Sequence, residues 1–319
     1  MPHAGVENGR PSGSPGAVSK DTVNSRRLTA QARAHAAAIF LLPLLGTVAA
    51  LSSIPFLGFG RTELLLLLTL STLTLLGLSV GFHRHFAHRA FDTTTPVRVV
   101  LATLGSMACQ GPLVYWVANH RRHHKYSDRP GDPHSPNSTA GRRGTTLALL
   151  WHAHVGWTLQ GELTNSWLFA RDLIADPVIS RVNRHYYFCA LSGLALPMAV
   201  GGLVSRTQAG VLRGLLWGGF VRAFVVYHVT MSINSLTHRF GARALDTRDE
   251  SRNAAWLAPF TFGESWHNNH HAEPSAASFA THWWQIDIGG SLIMLLERLR
   301  LVWRVNHRTH LPTGAEGGM

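Results

Sequence analysis

Two five-residue segments, far apart in the chain, repeat one arrangement of histidines. Residues 120–124 read HRRHH and residues 267–271 read HNNHH. On a helix, positions i, i+3 and i+4 lie on one face, so each segment predicts three imidazoles that project together. Neutral imidazole is the commonest side-chain metal ligand and suits iron, zinc, copper and nickel. A solvated basic helix face would explain one such histidine better than it explains two triplets at identical spacing.

Two shorter segments add further candidate ligands. HRHFAH supplies His83 and His88, and NSLTH supplies Asn234 and His238. The candidate set therefore contains nine histidines: His83, His88, His120, His123, His124, His238, His267, His270 and His271. Nine imidazoles are too many for one tetrahedral or octahedral ion, and they fit two ions with some coordination positions left open. A closed structural zinc site uses four ligands, often cysteine, so this set predicts a catalytic metal centre.

Carboxylates lie near the same segments. Asp128, Asp132 and Glu264 could accept the second ring N–H of a metal-binding histidine and fix its tautomer. Ordinary turn chemistry is an equally good interpretation, especially for the sequence DRPGDP at 128–133.

Long apolar stretches must position these histidines. Charged residues make up only 14% of the chain, below the roughly 25% of soluble domains. Four stretches approach the roughly 20 apolar residues that a spanning helix needs. They cover about residues 36–56, 64–80, 187–204 and 209–229. The fourth contains Arg213 and Arg222, which must reach an interface or face protein. Residues 97–117 are apolar but broken by Gly111 and Pro112, which predicts an interfacial or re-entrant helix.

The flanking charges predict the orientation of the spans. Most arginines near the spans precede the first and third or follow the second and fourth, and this pattern places the termini and every histidine segment in the cytoplasm. We therefore predict an all-α integral membrane protein with four transmembrane helices. A cytoplasmic helical cap, residues 82–185 and 232–308, would hold a histidine-ligated di-metal site.

The ends of the chain differ in composition from the membrane domain, which we place at residues 31–308. Residues 1–30 are rich in Gly, Pro, Ser and Asn, which predicts a disordered leader and not a signal peptide. Residues 309–319 are expected to form a flexible tail.

The net charge of +12 raises the question of nucleic-acid binding. The basic residues do not form one stripe interleaved with aromatic residues but cluster beside apolar segments. We therefore expect no nucleic-acid partner.

The order of the motifs resembles a known family. HRHFAH, HRRHH, NSLTH and HNNHH, set around two membrane hairpins, are similar to the histidine boxes of integral-membrane fatty acyl desaturases. The surrounding words, QGPLVYWVANHRRHHKYSDRPGDPHSP, HVGW and FGESWHNNHH, resemble the delta-9, stearoyl-CoA desaturase-like branch. The resemblance covers roughly residues 40–305.

The resemblance implies a di-iron centre. One iron would be held by His83, His88, His120, His124 and His270. The other would be held by His123, His238, His267 and His271, with Asn234 reaching it through water. The implied reaction is the O2-dependent removal of two hydrogens from a long acyl chain, which leaves a cis double bond at the delta-9 position. Electrons would come from an external ferredoxin, rubredoxin or cytochrome with its reductase.

A saturated chain offers no polar group for acid–base work, so the protein must position it. Gln110, Tyr115, Trp116 and Trp157 could line a buried tunnel for the chain; aromatic packing at the membrane boundary is the alternative.

The acyl carrier is the point at which the sequence departs from the family pattern. Acyl-CoA members place basic residues where this chain has Ala118, Gly161 and Glu162. The substrate could therefore be a fatty acyl thioester or an acyl lipid. Four basic residues are candidates for binding its phosphate or headgroup, unless they serve only solubility and contact with membrane lipid: Lys125, Arg142, Arg143 and Arg171.

Two other functions remain open from the sequence. A histidine-box hydroxylase would use the same scaffold, and its product would gain one oxygen instead of losing two hydrogens. A membrane metal transporter or sensor would need ligating residues within the spans, and the first two spans are almost purely apolar.

Overall fold

The computed structural model of the protein describes residues 20–308, and within this range the chain is mostly helical. The α-helices are α1 Arg26–Leu57, α2 Arg61–Leu76, α3 Thr95–Met107, α4 Leu113–Tyr126, α5 Thr146–Trp151, α6 Trp157–Gln160, α7 Ser166–Phe169, α8 Arg171–Ala175, α9 Pro177–Arg184, α10 Tyr186–Ser205, α11 Gln208–Gly214, α12 Arg222–Leu236, α13 Ala258–Thr261, α14 His267–Ala272 and α15 Ile288–Arg298. Three π-helical segments, Gly77–Ala87, His152–Gly156 and Leu215–Val221, follow α2, α5 and α11 without a break, and 3-10 turns occupy Ser138–Ala140 and Ala255–Leu257.

Two short antiparallel strand pairs complete the fold. The strand β1 Thr22–Val23 pairs with β3 Leu163–Thr164, and β2 Asp92–Thr93 pairs with β4 Val302–Trp303.

Four helices are long and apolar enough to cross a membrane, as the sequence predicts. They are Arg26–Leu57, Arg61–Ala87, Tyr186–Ser205 and Gln208–Leu236. The second and fourth extend beyond the predicted ends at 80 and 229, and polar residues past those ends, such as His83 and Ser235, bond to other parts of the protein. As a result His83 and Asn234 lie on the membrane helices themselves.

Both arginines of the fourth membrane helix face protein, which is one of the two predicted alternatives. Arg213 pairs with the buried Glu63 at 3.0 Å and donates to the carbonyl of Leu57 at 2.9 Å. Arg222 is fully buried. It donates to the carbonyls of Met107 and Gly193 on neighbouring helices and to the carbonyl of Gly218 on its own helix. These contacts give both guanidinium groups partners within the protein in place of lipid.

The apolar segment 97–117 forms two helices, α3 and α4, separated by residues 108–112. The helix α3 packs against α10, α2 and the π-helical segment that follows α2. Gly77 permits this close approach, since a Cβ there would lie 2.3 Å from the backbone nitrogen of Gly105. The break then turns α4 so that it carries HRRHH into the cap.

The N-terminal segment differs from the predicted leader where it is described. Residues 20–25 are ordered by the pairing of β1 with β3, and Ser25 caps α1 by accepting a hydrogen bond from the amide of Leu28. The helix α1 therefore begins at Arg26, inside the segment 1–30. Residues 1–19 of that leader, and the predicted tail 309–319, lie outside the described residues.

An apolar core supports the cap beside the membrane helices. Phe82 and Phe86 from the second membrane helix pack with Leu113 and Val117 of α4 and with Ile293 of α15, and all five are buried. This packing fixes the second membrane helix and α4, which carry His83 and the HRRHH segment.

Candidate metal centre

Four separate elements bring the nine histidines together. His83 lies near the end of the second membrane helix and His88 directly follows it, while α4 carries the HRRHH segment. His238 follows α12, and the short helix α14 carries the HNNHH segment.

The candidate ligand nitrogens divide into two groups, and within each group they lie within 4.8 Å of one another. The five-histidine cluster contains His83, His88, His120, His124 and His270, and the four-histidine cluster contains His123, His238, His267 and His271. This is the division that the resemblance implies. Each H-x-x-H-H segment contributes to both clusters.

Within each cluster the Nε2 atoms point at one another. In the five-histidine cluster, Nε2 of His270 lies 3.1 Å from Nε2 of His83 and 3.0 Å from Nε2 of His124. In the four-histidine cluster, Nε2 of His267 lies 3.0 Å from the Nε2 atoms of both His238 and His271. A metal–nitrogen bond of about 2.1 Å separates two ligands at a right angle by about 3.0 Å, so these spacings suit ligands of one ion.

The opposite ring nitrogen of four histidines bonds to a carboxylate. Nδ1 of His123 lies 3.0 Å from Asp132, Nδ1 of His238 lies 2.8 Å from Asp128, and Nδ1 of His271 lies 2.6 Å from Asp249. Nδ1 of His83 bonds to Glu264 in the same way.

These carboxylates determine which form of the ring each histidine presents. A neutral ring that donates Nδ1–H keeps its lone pair on Nε2, and this is the arrangement by which proteins orient metal-binding histidines. Lone pairs that face one another at 3 Å repel unless a cation lies between them. The donor set therefore fits two metal ions.

Burial favours the neutral rings that metal binding requires. It lowers the pKa well below the ordinary value for His88, His120, His124, His267 and His270, and neighbouring imidazoles lower it further. At Asp249, burial raises the pKa, but the hydrogen bond and charge of His271, together with Ser251 and His238, outweigh it and hold the pKa below the usual range of a carboxyl group. The anchoring carboxylate therefore stays ionised.

The anchor of His83 is itself held by a buried arginine. Arg84 is fully buried and binds Glu264 at 3.2 Å and Asp287 at 2.8 Å, and its guanidinium lies 4.0 Å from the centre of the Phe279 ring. The network ties the start of α15 to the first histidine segment.

Sequence reasoning placed Asp128, Asp132 and Glu264 near the histidines but missed Asp249 and Arg84. The only sequence signal for Asp249 was its place in the polar segment DTRDESRN at 246–253. For Arg84, the only signal was a charged residue in the continuation of an apolar span.

A cavity of about 210 Å³ leads to the clusters. All four predicted substrate residues line it: Gln110, Tyr115, Trp116 and Trp157. A smaller space of about 40 Å³ continues from it past Trp116, Asn234 and Thr230 and touches histidines of both clusters. Asn234, predicted to act through water, thus borders both spaces beside the clusters.

The four basic candidates do not gather at one place. Lys125 pairs with Asp21 at 3.1 Å, and Arg142 donates to the side-chain oxygen of Gln160 at 3.0 Å. Arg143 and Arg171 are exposed, the latter at the start of α8.

Comparison with known proteins agrees with this geometry. The model of the family described as "Fatty acid desaturase" matches residues 61–288. A hex-5-enoyl-[acyl-carrier protein] acetylenase of Moorena producens is 48% identical over 86% of this chain and 84% of its own length. An sn-1 stearoyl-lipid 9-desaturase of Anabaena variabilis is 35% identical over 72% of this chain and 78% of its own, and delta-9 acyl-lipid desaturase 1 of Arabidopsis thaliana is 36% identical over 71% and 69%.

Proposed function

The chain belongs to the fatty acid desaturase family, an oxidoreductase family that acts on acyl chains, and from this premise we propose that it is an O2-dependent acyl desaturase with a di-iron centre. The observation that carries the proposal is the pair of imidazole clusters at the end of a cavity suited to an acyl chain. Two hydrogens from the chain, two external electrons and two protons would reduce O2 to two water molecules.

The five-histidine cluster would hold one iron and the four-histidine cluster the other, with Asn234 acting on the second through water. When bound, the irons supply the oxidising power that an unactivated carbon–hydrogen bond demands. The four carboxylate anchors fix the orientation of the rings to which they bond and accept from Nδ1, so that Nε2 of His83, His123, His238 and His271 faces the metal position.

Residues of the cavity would orient the acyl chain. Trp116 stacks on His120 with 5.1 Å between ring centres, and both side chains line the cavity where it meets the five-histidine cluster. Gln110 donates to Thr230 at 3.0 Å across the same passage. The Trp116–His120 stack and the Gln110–Thr230 hydrogen bond narrow the passage. They would therefore limit which carbon pair of the acyl chain approaches the clusters.

One version of the reaction inserts a cis double bond at the delta-9 position of a long saturated chain. The names of the relatives from Anabaena variabilis and Arabidopsis thaliana support this version.

A second version converts a terminal alkene to an alkyne on a short chain bound to a carrier protein. The relative at 48% identity is named for such a reaction. The space of about 40 Å³ beside the clusters also favours it. A space this small favours a chain that ends close to the clusters.

We further propose that the clusters face the cytoplasm, on the strength of the flanking arginines. A surface cleft lined by His88, His124, Asp249 and His271 reaches the edges of both clusters and would receive an external electron donor.

Expression in a host that lacks unsaturated fatty acids tests the proposal. Mass spectrometry of acyl groups, with and without a supplied hex-5-enoyl substrate, should reveal a product lighter by two hydrogens and locate the new unsaturation. A product heavier by one oxygen would identify a hydroxylase instead. Unchanged acyl groups together with metal uptake into vesicles would favour a transporter.

A further inference from the structure

Two arginines meet beside the cavity on one residue, Gln160. Arg33, near the start of α1, donates Nε and Nη2 to the backbone carbonyl of Gln160 at 3.1 and 2.8 Å. Arg142 donates Nη2 to the side-chain oxygen of Gln160 at 3.0 Å. Gln31 and Thr158, which are close in sequence to these residues, line the cavity, and Gln31 is exposed, so the cavity reaches the surface here.

A glycine makes room for the first of these arginines. Gly161 ends α6 with a φ of +69°, and a Cβ at this position would lie 2.8 Å from Nε of Arg33. The side chain of Arg33 therefore crosses the backbone at Gly161, where the Cβ of any larger residue would displace it.

Within the described part of the chain, the two guanidinium groups have no carboxylate partner. Among residues 20–308, no carboxylate oxygen lies within 4.0 Å of Arg33 or Arg142. Glu162, which directly follows Gly161, pairs instead with Arg122. A guanidinium has five N–H donors, and the bonds to Gln160 use two from Arg33 and one from Arg142. Two like charges that share one hydrogen-bonding residue repel each other, and a bound anion would relieve this.

We infer that Arg33 and Arg142 bind the phosphate of the acyl carrier while the acyl chain enters the cavity. The inference rests on the proposed function, which requires an acyl chain in that cavity. Planar guanidinium groups match phosphate oxygens in two-point hydrogen bonds. A phosphate ester is common to the phosphopantetheine arm of a thioester carrier and to a phospholipid headgroup, so the geometry identifies the chemistry shared by both.

Binding of matched ligands to the purified full-length protein tests the inference. Calorimetry would compare decanoyl-phosphopantetheine with decanoyl-pantetheine, and decanoyl-lysophosphatidylglycerol with monodecanoylglycerol. We expect the phosphate to tighten binding at least about tenfold in one pair, because charge-assisted hydrogen bonds contribute a binding free energy of that size. The pair that shows the effect identifies the source of the phosphate.

The double variant R33Q/R142Q should bind both members of that pair equally, with an unchanged unfolding temperature. R298Q is the matched control, since Arg298 is an exposed arginine of α15, which contributes no residue to the cavity. Equal binding within both pairs by the wild-type protein, or a phosphate effect that persists in R33Q/R142Q, would overturn the inference.

This outcome is separable from failure of the proposed function, because binding needs neither metal nor turnover. Phosphate-dependent binding without any desaturated product would count against the function alone. Desaturation with no phosphate effect would count against the arginine site alone.

Discussion

The carboxylate anchor of His271 offers a perturbation that should act on one metal position and spare the other. Asp249 lies 2.6 Å from Nδ1 of His271, whose ring lies in the four-histidine cluster. Changing Asp249 to Asn keeps the size of the side chain but removes the charge that orients and polarises the ring. The five-histidine cluster has its own anchor at Glu264 and should not respond.

The magnitude follows from what such anchors contribute to metal affinity. Loss of an outer carboxylate typically weakens metal binding by about 10- to 100-fold, which corresponds to about 1.4–2.7 kcal/mol. The effect should lie toward the upper end, because the His271 side chain is only 1% exposed.

Iron content measured after dialysis against a graded series of chelator concentrations would check this prediction. The wild-type protein should retain two irons per chain at a chelator concentration at which Asp249→Asn retains one. Asp246→Asn is the matched control, because Asp246 is an exposed carboxylate in the same surface cleft with no bond to a histidine. Simultaneous loss of both irons, or no difference from wild type, would refute the reasoning that each cluster binds its own ion.

Three further changes have definite expected results. Arg84→Met should lower the free energy of unfolding by about 3–5 kcal/mol, since it leaves two buried carboxylates without their cation, whereas the exposed Arg298→Met should change it little in thermal unfolding. His124→Ala should abolish the desaturated product in acyl-group mass spectrometry while the protein stays in the membrane fraction; persistent product would mean that His124 is not a ligand. Burial raises the pKa of Asp172, but the hydrogen bonds and charges of Arg121 and Arg89 together outweigh it and bring the pKa down to about 2. The ion pairs therefore stabilise the fold above pH 4 and are lost as the pH falls toward 2. Their loss should lower the free energy of unfolding by at most about 2 kcal/mol, and Asp172→Asn should remove this part of the pH dependence of the unfolding temperature.

Some features of this protein follow from local sequence alone. Four apolar stretches predict four membrane helices because a bilayer admits only a long apolar helix at those positions. The histidine segments predict metal chemistry because imidazoles three and four positions apart must share a helix face. The predicted ends of the spans were less accurate. The helices continue past the apolar stretches into segments whose polar side chains bond to other parts of the protein, as His83 does.

The division of the histidines was not determined by their spacing. His120 and His124 join one cluster and His123 the other, although all three lie on one face of α4. Only the packing of four distant elements decides which ring meets which. The family resemblance anticipated that division because it carries the tertiary arrangement with it.

The anchoring groups and the arginines proposed to bind phosphate show most clearly what tertiary structure adds. Asp249 and His271 are 22 positions apart, and Arg33 reaches the carbonyl of Gln160 across 127 positions. The sequence shows that basic residues are missing at 161 and 162, but only the fold shows that Arg33 lies over the space that Gly161 leaves. Contacts between residues so far apart are set by the packing of whole helices, which no local pattern of residues specifies.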